Sequence, residues 1–405
     1  MIAFLKRLYR DRRGNVLIIA GMTLPIVVGG AGLAVDTMHW VMWKRQLQRA
    51  ADSAAIAGAL ASVQDNAGMT VSQAVANDLA KNNTTGIALL SSYPQITFPS
   101  GAGFTNGVRV VLGVQKNMSF SSLFLDAPPV IIAGASAGYV NFGEFCVVAL
   151  NETGPALSIG GSADVSMGCG AISNSTNNSN AVDVNGNSHT FEAEPVAAVG
   201  AIDGSINGAS DLRPYSTPLP DPFAGLSLPT PTGCTPYNNA SKTNADGSKK
   251  PGCYNQFNPG NGTTVLSPGV YVLNNTSLNM NGQTRIVGEG VTLILTGTNP
   301  GTITMNGSSS LDITAQTTGP YANMAIIGTG TGSNLINGSN NTAIDGAVYF
   351  PNGNLTLSGS TAQSFQCAMM VAGTVTFSGS ATVQNDTSDC DAAITVAHSK
   401  VRLVA

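Results

Sequence analysis

The chain is short of charge. Asp, Glu, Lys and Arg make up 10% of its 405 residues, whereas about a quarter is usual for a globular domain. Aromatic residues contribute 6%, and there are 3 histidines. A net charge of -4 provides no basic surface, which excludes the electrostatic footprint of a nucleic-acid-binding protein. No GxSxG or HExxH motif occurs. Gly328-Thr329-Gly330-Thr331-Gly332 is Gly-rich but lacks the lysine and helix of a phosphate loop. Asp164, Asp183, Asp312 and Asp345 each stand alone, whereas glycoside hydrolysis needs two convergent carboxylates. Asp386, Asp389 and Asp391 surround Cys390 in a pattern that fits a calcium loop but is expected to be a solvated turn. His39, His189 and His398 are scattered, and no CxxC spacing supports zinc. The expectation is a protein that is not an enzyme, with no cofactor, no metal and no small-molecule substrate. What the chain has instead is 47 glycines, many Asn, Ser and Thr, and 43% hydrophobic residues, enough apolar surface to argue against disorder.

The first charged cluster is N-terminal: Lys6, Arg7, Arg10, Arg12 and Arg13 against Asp11. From Val16 to Val35 no charge occurs, and at 1.5 Å per residue this run spans about 30 Å, the thickness of a hydrocarbon core. The positive-inside rule keeps the basic flank in the cytoplasm and sends Asp36 and the rest outward. Pro25 is tolerable in a membrane span. Gly32-Leu33-Ala34 resembles a signal-peptidase site, yet the run is longer than a signal-peptide core of about 7–15 residues, so an uncleaved anchor is expected. Gly21, Pro25 and Gly29 offer a small-residue face, although glycine is common in membrane helices anyway. Trp40 and Trp43 fall at headgroup level, with Lys44, Arg45 and Arg49 beyond them. An Ala-rich helix is expected to follow to Ser62.

Arg12-Arg13-Gly14-Asn15, the run ending Gly32-Leu33-Ala34-Val35-Asp36, and Lys44-Arg45-Gln46-Leu47-Gln48-Arg49-Ala50-Ala51-Asp52-Ser53-Ala54-Ala55 form an ordered combination. It resembles the TadE/TadG-like Flp (tight adherence) pilus-assembly family over about the first sixty residues. The resemblance implies a bacterial inner-membrane anchor with its bulk in the periplasm or at the surface. Its implied partners are other pilus-assembly membrane proteins or pilin subunits, besides the lipid bilayer. Related pilin-like proteins are cut after a glycine, with a glutamate five residues on. Here Ile19 stands five residues after Gly14, so no processing is expected. Val108–Leu112, Ser119–Phe124 and Val130–Tyr139 look like the family's continuation and read as β segments divided at Pro128-Pro129, after a short helix over 72–81.

Cys146, Cys169, Cys234, Cys253, Cys367 and Cys390 all follow the anchor. An even count in an exported region reads as disulfides. Fifteen pairings are possible, and sequential pairing is the simplest. Six stretches repeat an apolar-x-apolar-small-Gly-polar pattern, beginning at Leu157, Val182, Leu278, Ile303, Leu355 and Val375. Alternation puts both apolar residues on one face of a short strand, and the glycine supplies a positive-φ turn. A further apolar residue often follows, as at Val165, Ile286, Leu311 and Val383. Adjacent copies are about one β-helix coil apart, and turn asparagines are expected to stack between coils. A β-sandwich with Gly turns also fits this pattern.

The expected fold is therefore mainly β. An anchor over 1–36 and an Ala-rich helix over 37–64 lead into a small α/β unit over 65–140. A right-handed parallel β-helix-like solenoid follows, with repeats over 141–213 and 261–396 and a Pro/Asn-rich insertion over 214–260. Two functions fit. One is a non-enzymatic component of Flp pilus assembly or anchoring. The other is a surface adhesin or glycan-binding protein, which would need exposed aromatic platforms. Tyr271, Tyr321, Tyr349, Phe350, Phe365 and Phe377 are few for that role.

Overall fold

The computed structural model describes residues 15–62, 70–82, 88–101, 103–186, 189–337, 342–359, 362–388, 390 and 395–404. The basic tail, Gly14, Asp389 and Asp391 lie outside them. Two compact units form, one from Met1–Asn141 with Ser399–Ala405, the other from Phe142–His398.

In the first unit, α1 (Asn15–Ala61) runs unbroken through Pro25 and is about 70 Å long. Its two halves bury themselves differently. Ile18, Ile19, Leu24, Ile26 and Val27 are exposed on an all-round apolar surface. Leu47, Ala51, Ala54, Ala55 and Ala59 recur at helical spacing and are fully buried. These small side chains let α1 lie close against α2 (Val71–Asn82) and a sheet. A Cβ on Gly58 would come within 2.9 Å of Val108 Cγ1 and 3.1 Å of Val75 Cγ2, so only glycine suits this crossing. A capping box starts α2: Thr70 Oγ1 accepts from the Gln73 N–H, and Gln73 Oε1 accepts from the Thr70 N–H. The sheet joins β1 (Gln95–Thr97) to β2 (Thr105–Gln115), and β2 to β3 (Val130–Ala149), all antiparallel. Val108, Val110, Leu112 and Val114 alternate inward toward the helices, with Ile131, Ala133, Ala135 and Ala137 of β3.

The second unit is a parallel β-solenoid of about 11 turns. Its strands form three ladders. The first contains Gly269–Asn274, Val291–Thr296 and Met324–Gly328, the second contains Leu278–Met280, Ile303–Met305 and Leu157–Gly160, and the third contains Thr284–Gly288, Ser310–Thr314 and Thr382–Asp386. The repeats stack as their spacing predicts: Leu278 pairs with Ile303, Leu355 with Val375, and Leu157 with Val182. Their apolar pairs join one core, Val184 being partly buried, and Val165, Ile286, Leu311 and Val383 fill it from the third ladder. The glycine at the fifth position of each repeat has positive φ: Gly161, Gly186, Gly282, Gly307, Gly359 and Gly379. These glycines also stack on one another. A Cβ on Gly161 would sit 2.6 Å from the Gly379 carbonyl oxygen, so the turn needs glycine for space as well as for φ.

The order of coils along the axis differs from the order in sequence. The last coil of the C-terminal half stacks on the first coil of the N-terminal half: Met370 pairs with Val147, Val375 with Leu157, and Thr382 with Asp164. The chain thus enters and leaves this unit near the middle of the stack. Leu212–Arg213 lies at one end and Thr235–Pro236 at the other. At about 4.8 Å per rung the stack is about 50 Å long, which the residues between these strands can span when extended at ~3.3 Å each.

That connection is a strap laid along the outside of the first ladder. Leu219 exchanges two hydrogen bonds with the Asn174 side chain, at 2.7 and 2.9 Å. Tyr349 donates to Asp221 at 2.8 Å, and Tyr321 donates to the Ser227 carbonyl at 2.9 Å. Leu219, Phe223, Leu226 and Leu228 cover Val148, Ile172, Ile294, Ile327 and Val371. Prolines at 218, 220, 222, 229 and 231 suit an extended segment that takes no place in a ladder. The strap also explains why Val291–Thr296 and Met324–Gly328 are buried at every residue: one face meets the core and the other meets the strap. The Pro/Asn-rich stretch expected as a single insertion over 214–260 thus divides into this strap and the terminal coil, which includes Gly252–Gln256.

Candidate functional site: an anchor helix with a docked turn

Among the described residues, one helix is long and apolar enough to cross a membrane, within Ile18–Ala61. Beyond its apolar half, polar groups fasten α1 to the unit that follows. Gln48 donates to the Gly134 carbonyl at 3.0 Å, and Ser53 donates to Asp78 at 3.0 Å. Lys44 donates to the Ile132 carbonyl. Trp40 is exposed at the expected headgroup level, whereas Trp43 packs on the α/β core with Lys116 4.1 Å over its ring. The Gly21 and Gly29 faces meet nothing within 4 Å.

At the end of the apolar run, Gly32 and Asp36 lie one turn apart on one side of α1 and hold the segment after β2. The Phe120 ring occupies the space where a Gly32 side chain would be. The Asp36 carboxylate accepts from the Phe120 N–H at 3.0 Å, and from the Ser121 N–H and hydroxyl. This carboxylate fixes the start of a single 3-10 turn, Ser121–Leu123. The expectation of a β segment over Ser119–Phe124 is therefore corrected. Capping by Asp36 and the seat on Gly32 bend the chain where its apolar composition alone suggests a strand. Neither partner is signalled locally, because α1 and the turn are distant in sequence.

The six cysteines form Cys146–Cys169, Cys234–Cys253 and Cys367–Cys390, with Cα separations of 5.8, 4.4 and 5.5 Å. Each bridge joins neighbouring coils, so the sequence separations of 23, 19 and 23 are coil lengths. Closing a loop of this size contributes about 3 kcal/mol in the chain-entropy picture.

The solitary carboxylates stay apart. Asp312 pairs with Arg285 at 3.0 Å, and Asp183 accepts from Asn185 at 2.5 Å. Asp164 is exposed at the start of a third-ladder strand. Burial raises the Asp345 carboxyl above the usual range. Hydrogen bonds from the Ser388 side chain and backbone hold Asp386 below it, as in a turn. Among the described residues, no group of three or more His, Cys, Asp or Glu is placed to hold a metal ion. A cleft of about 430 Å³ opens beside Leu266, Val287, Glu289 and Asp312, and the Arg285 pairing occupies its Asp312. Asparagines do bridge coils at the turns: Asn306 donates to Asn281 at 3.3 Å, and Asn275 accepts from the Asn299 N–H at 2.7 Å. Of the aromatics in the solenoid unit, Tyr215 is exposed, while the rest are buried or half-buried.

Residues 14–62 match the family model described as putative Flp pilus-assembly TadE/G-like. That segment contains the whole apolar run, Gly32, Asp36 and the Ala face that packs on α2. No curated protein and no solved structure matches the chain.

Proposed function

We propose that the chain is a membrane-anchored, non-enzymatic component of Flp pilus assembly or anchoring. It crosses the bacterial inner membrane once, through Val16–Val35, with the basic tail cytoplasmic and the solenoid in the periplasm or at the surface. The observation that carries this reading is that the family match and the exposed apolar half of α1 fall on the same residues. Three disulfides in the part beyond the anchor support an oxidising compartment. The partners are other pilus-assembly membrane proteins or pilin subunits. The dispersed carboxylates support a structural role, and the burial of the solenoid aromatics weighs against a glycan-stacking adhesin. The test is deletion of the coding sequence in the host, with Flp pili counted by electron microscopy. Loss of pili, restored by the whole chain, is expected. Normal pili with impaired attachment to surfaces would replace this reading with the adhesin one.

A further inference from the structure

Three large apolar side chains in a row, Leu123, Phe124 and Leu125, project from the docked turn into solvent. Leu123 and Phe124 are each 74% exposed. Such a cluster needs a partner surface, and its position on α1 selects one. Phe120 rests on Gly32, inside the apolar run, and Asp36, which holds Ser121, is the first charged residue after it. The turn is therefore fastened within a helical turn of where the span ends, about 6 Å along the axis.

We propose that Leu123, Phe124 and Leu125 insert into the outer interface of the same bilayer that α1 crosses. They form a second, shallow membrane contact that fixes the orientation of the α/β unit on the lipid surface. The inference rests on the reading of α1 as a membrane span. Insertion is apolar and not charge-driven: from Asn117 to Val130 the only charged residue is Asp126, and the preceding Lys116 lies over Trp43. Zwitterionic lipid should suffice, and salt should not release the contact. Gly32 and Asp36 are then positioning residues. One leaves room for Phe120, and the other clamps the turn at the membrane edge.

The experiment uses the full chain with its disulfides intact, reconstituted in phosphatidylcholine vesicles. Single cysteines replace Phe124, Ile26 or Ser72 and carry an environment-sensitive fluorophore. Ile26 lies in the middle of the apolar run. Ser72 is exposed at the start of α2, beside the Val71 that packs on Gly58, about 33 Å along α1 from Asp36. Lipids brominated deep in the acyl chain should quench position 26 most. Lipids brominated near the ester should quench position 124 most, with a blue-shifted emission that persists in high salt. Position 72 should lose no fluorescence to either lipid. Leu123→Cys repeats the test at an equally exposed site if Phe124→Cys does not fold. Quenching at 26 with none at 123 or 124 overturns the inference, leaves the anchor standing, and assigns the cluster to a protein partner. Absence of quenching at 26 overturns both.

Discussion

Asn385 stands where the two halves of the solenoid meet, and replacing it tests that junction. Its Oδ1 accepts from the Ala368 N–H at 3.0 Å, and its Nδ2 donates to the carbonyls of Ala368 at 3.1 Å and Met167 at 3.2 Å. Ala368 belongs to the C-terminal half, and Met167 to the N-terminal half stacked on it. Asn385→Leu keeps the branched shape, though bulkier, and leaves the fully buried Ala368 N–H without an acceptor. An orphaned buried donor costs about 1–3 kcal/mol, and each lost hydrogen bond about 1 kcal/mol, so a destabilisation of roughly 2–4 kcal/mol is expected. Gln384→Leu, one residue away and exposed, should stay within about 0.5 kcal/mol. Guanidinium unfolding of the full chain in detergent, with disulfides intact and followed by circular dichroism, measures both. Equal midpoints for Asn385→Leu and Gln384→Leu would refute the stacking of the last coil on the first.

Met305→Asp should prevent stable folding, because it places an unpaired charge in a fully buried site, whereas Thr304→Asp, on the other face of the same strand, should change stability by no more than about 0.5 kcal/mol in the same melts. Gly161→Ala should destabilise by at least 1–2 kcal/mol, because it combines the roughly 1–2 kcal/mol cost of a left-handed L-residue with a clash against Gly379; an unchanged melt would remove the glycine stack. Thiol labelling of host-purified protein under non-reducing, denaturing conditions should modify none of the six cysteines, and any labelled position would contradict the corresponding bridge.

The local grammar of the solenoid was legible because it is periodic. Two apolar residues and a glycine, as in Leu278-Asn279-Met280-Asn281-Gly282, specify a strand face and a left-handed turn whatever follows. The spacing of about one coil between copies then specifies stacking, and the cysteine separations repeat that length. The order of coils was not legible. Pairing of Val375 with Leu157 depends on which copies meet, and every copy carries the same pattern. The strap left a trace that alternation obscured: the consecutive apolar residues Leu293-Ile294-Leu295 signal a strand covered on both faces, and the distant proline-rich segment is the cover. In α1, composition alone reveals the candidate span and the Ala face. The role of Asp36 depends on a turn that the chain reaches only after α2 and two strands, so no nearby residue announces it.

Topology is the most direct test, since the proposed function depends on the solenoid being exported behind an intact anchor. Intact spheroplasts of the host, with the chain tagged at its N-terminus, are treated with a broad-specificity protease from outside. Residues 142–398 should become accessible and be cut, or resist only until the disulfides are reduced, while the N-terminal tag should survive on a membrane-bound fragment containing Val16–Val35. A tag removed from outside, or a solenoid protected until the membrane is dissolved, would contradict this topology.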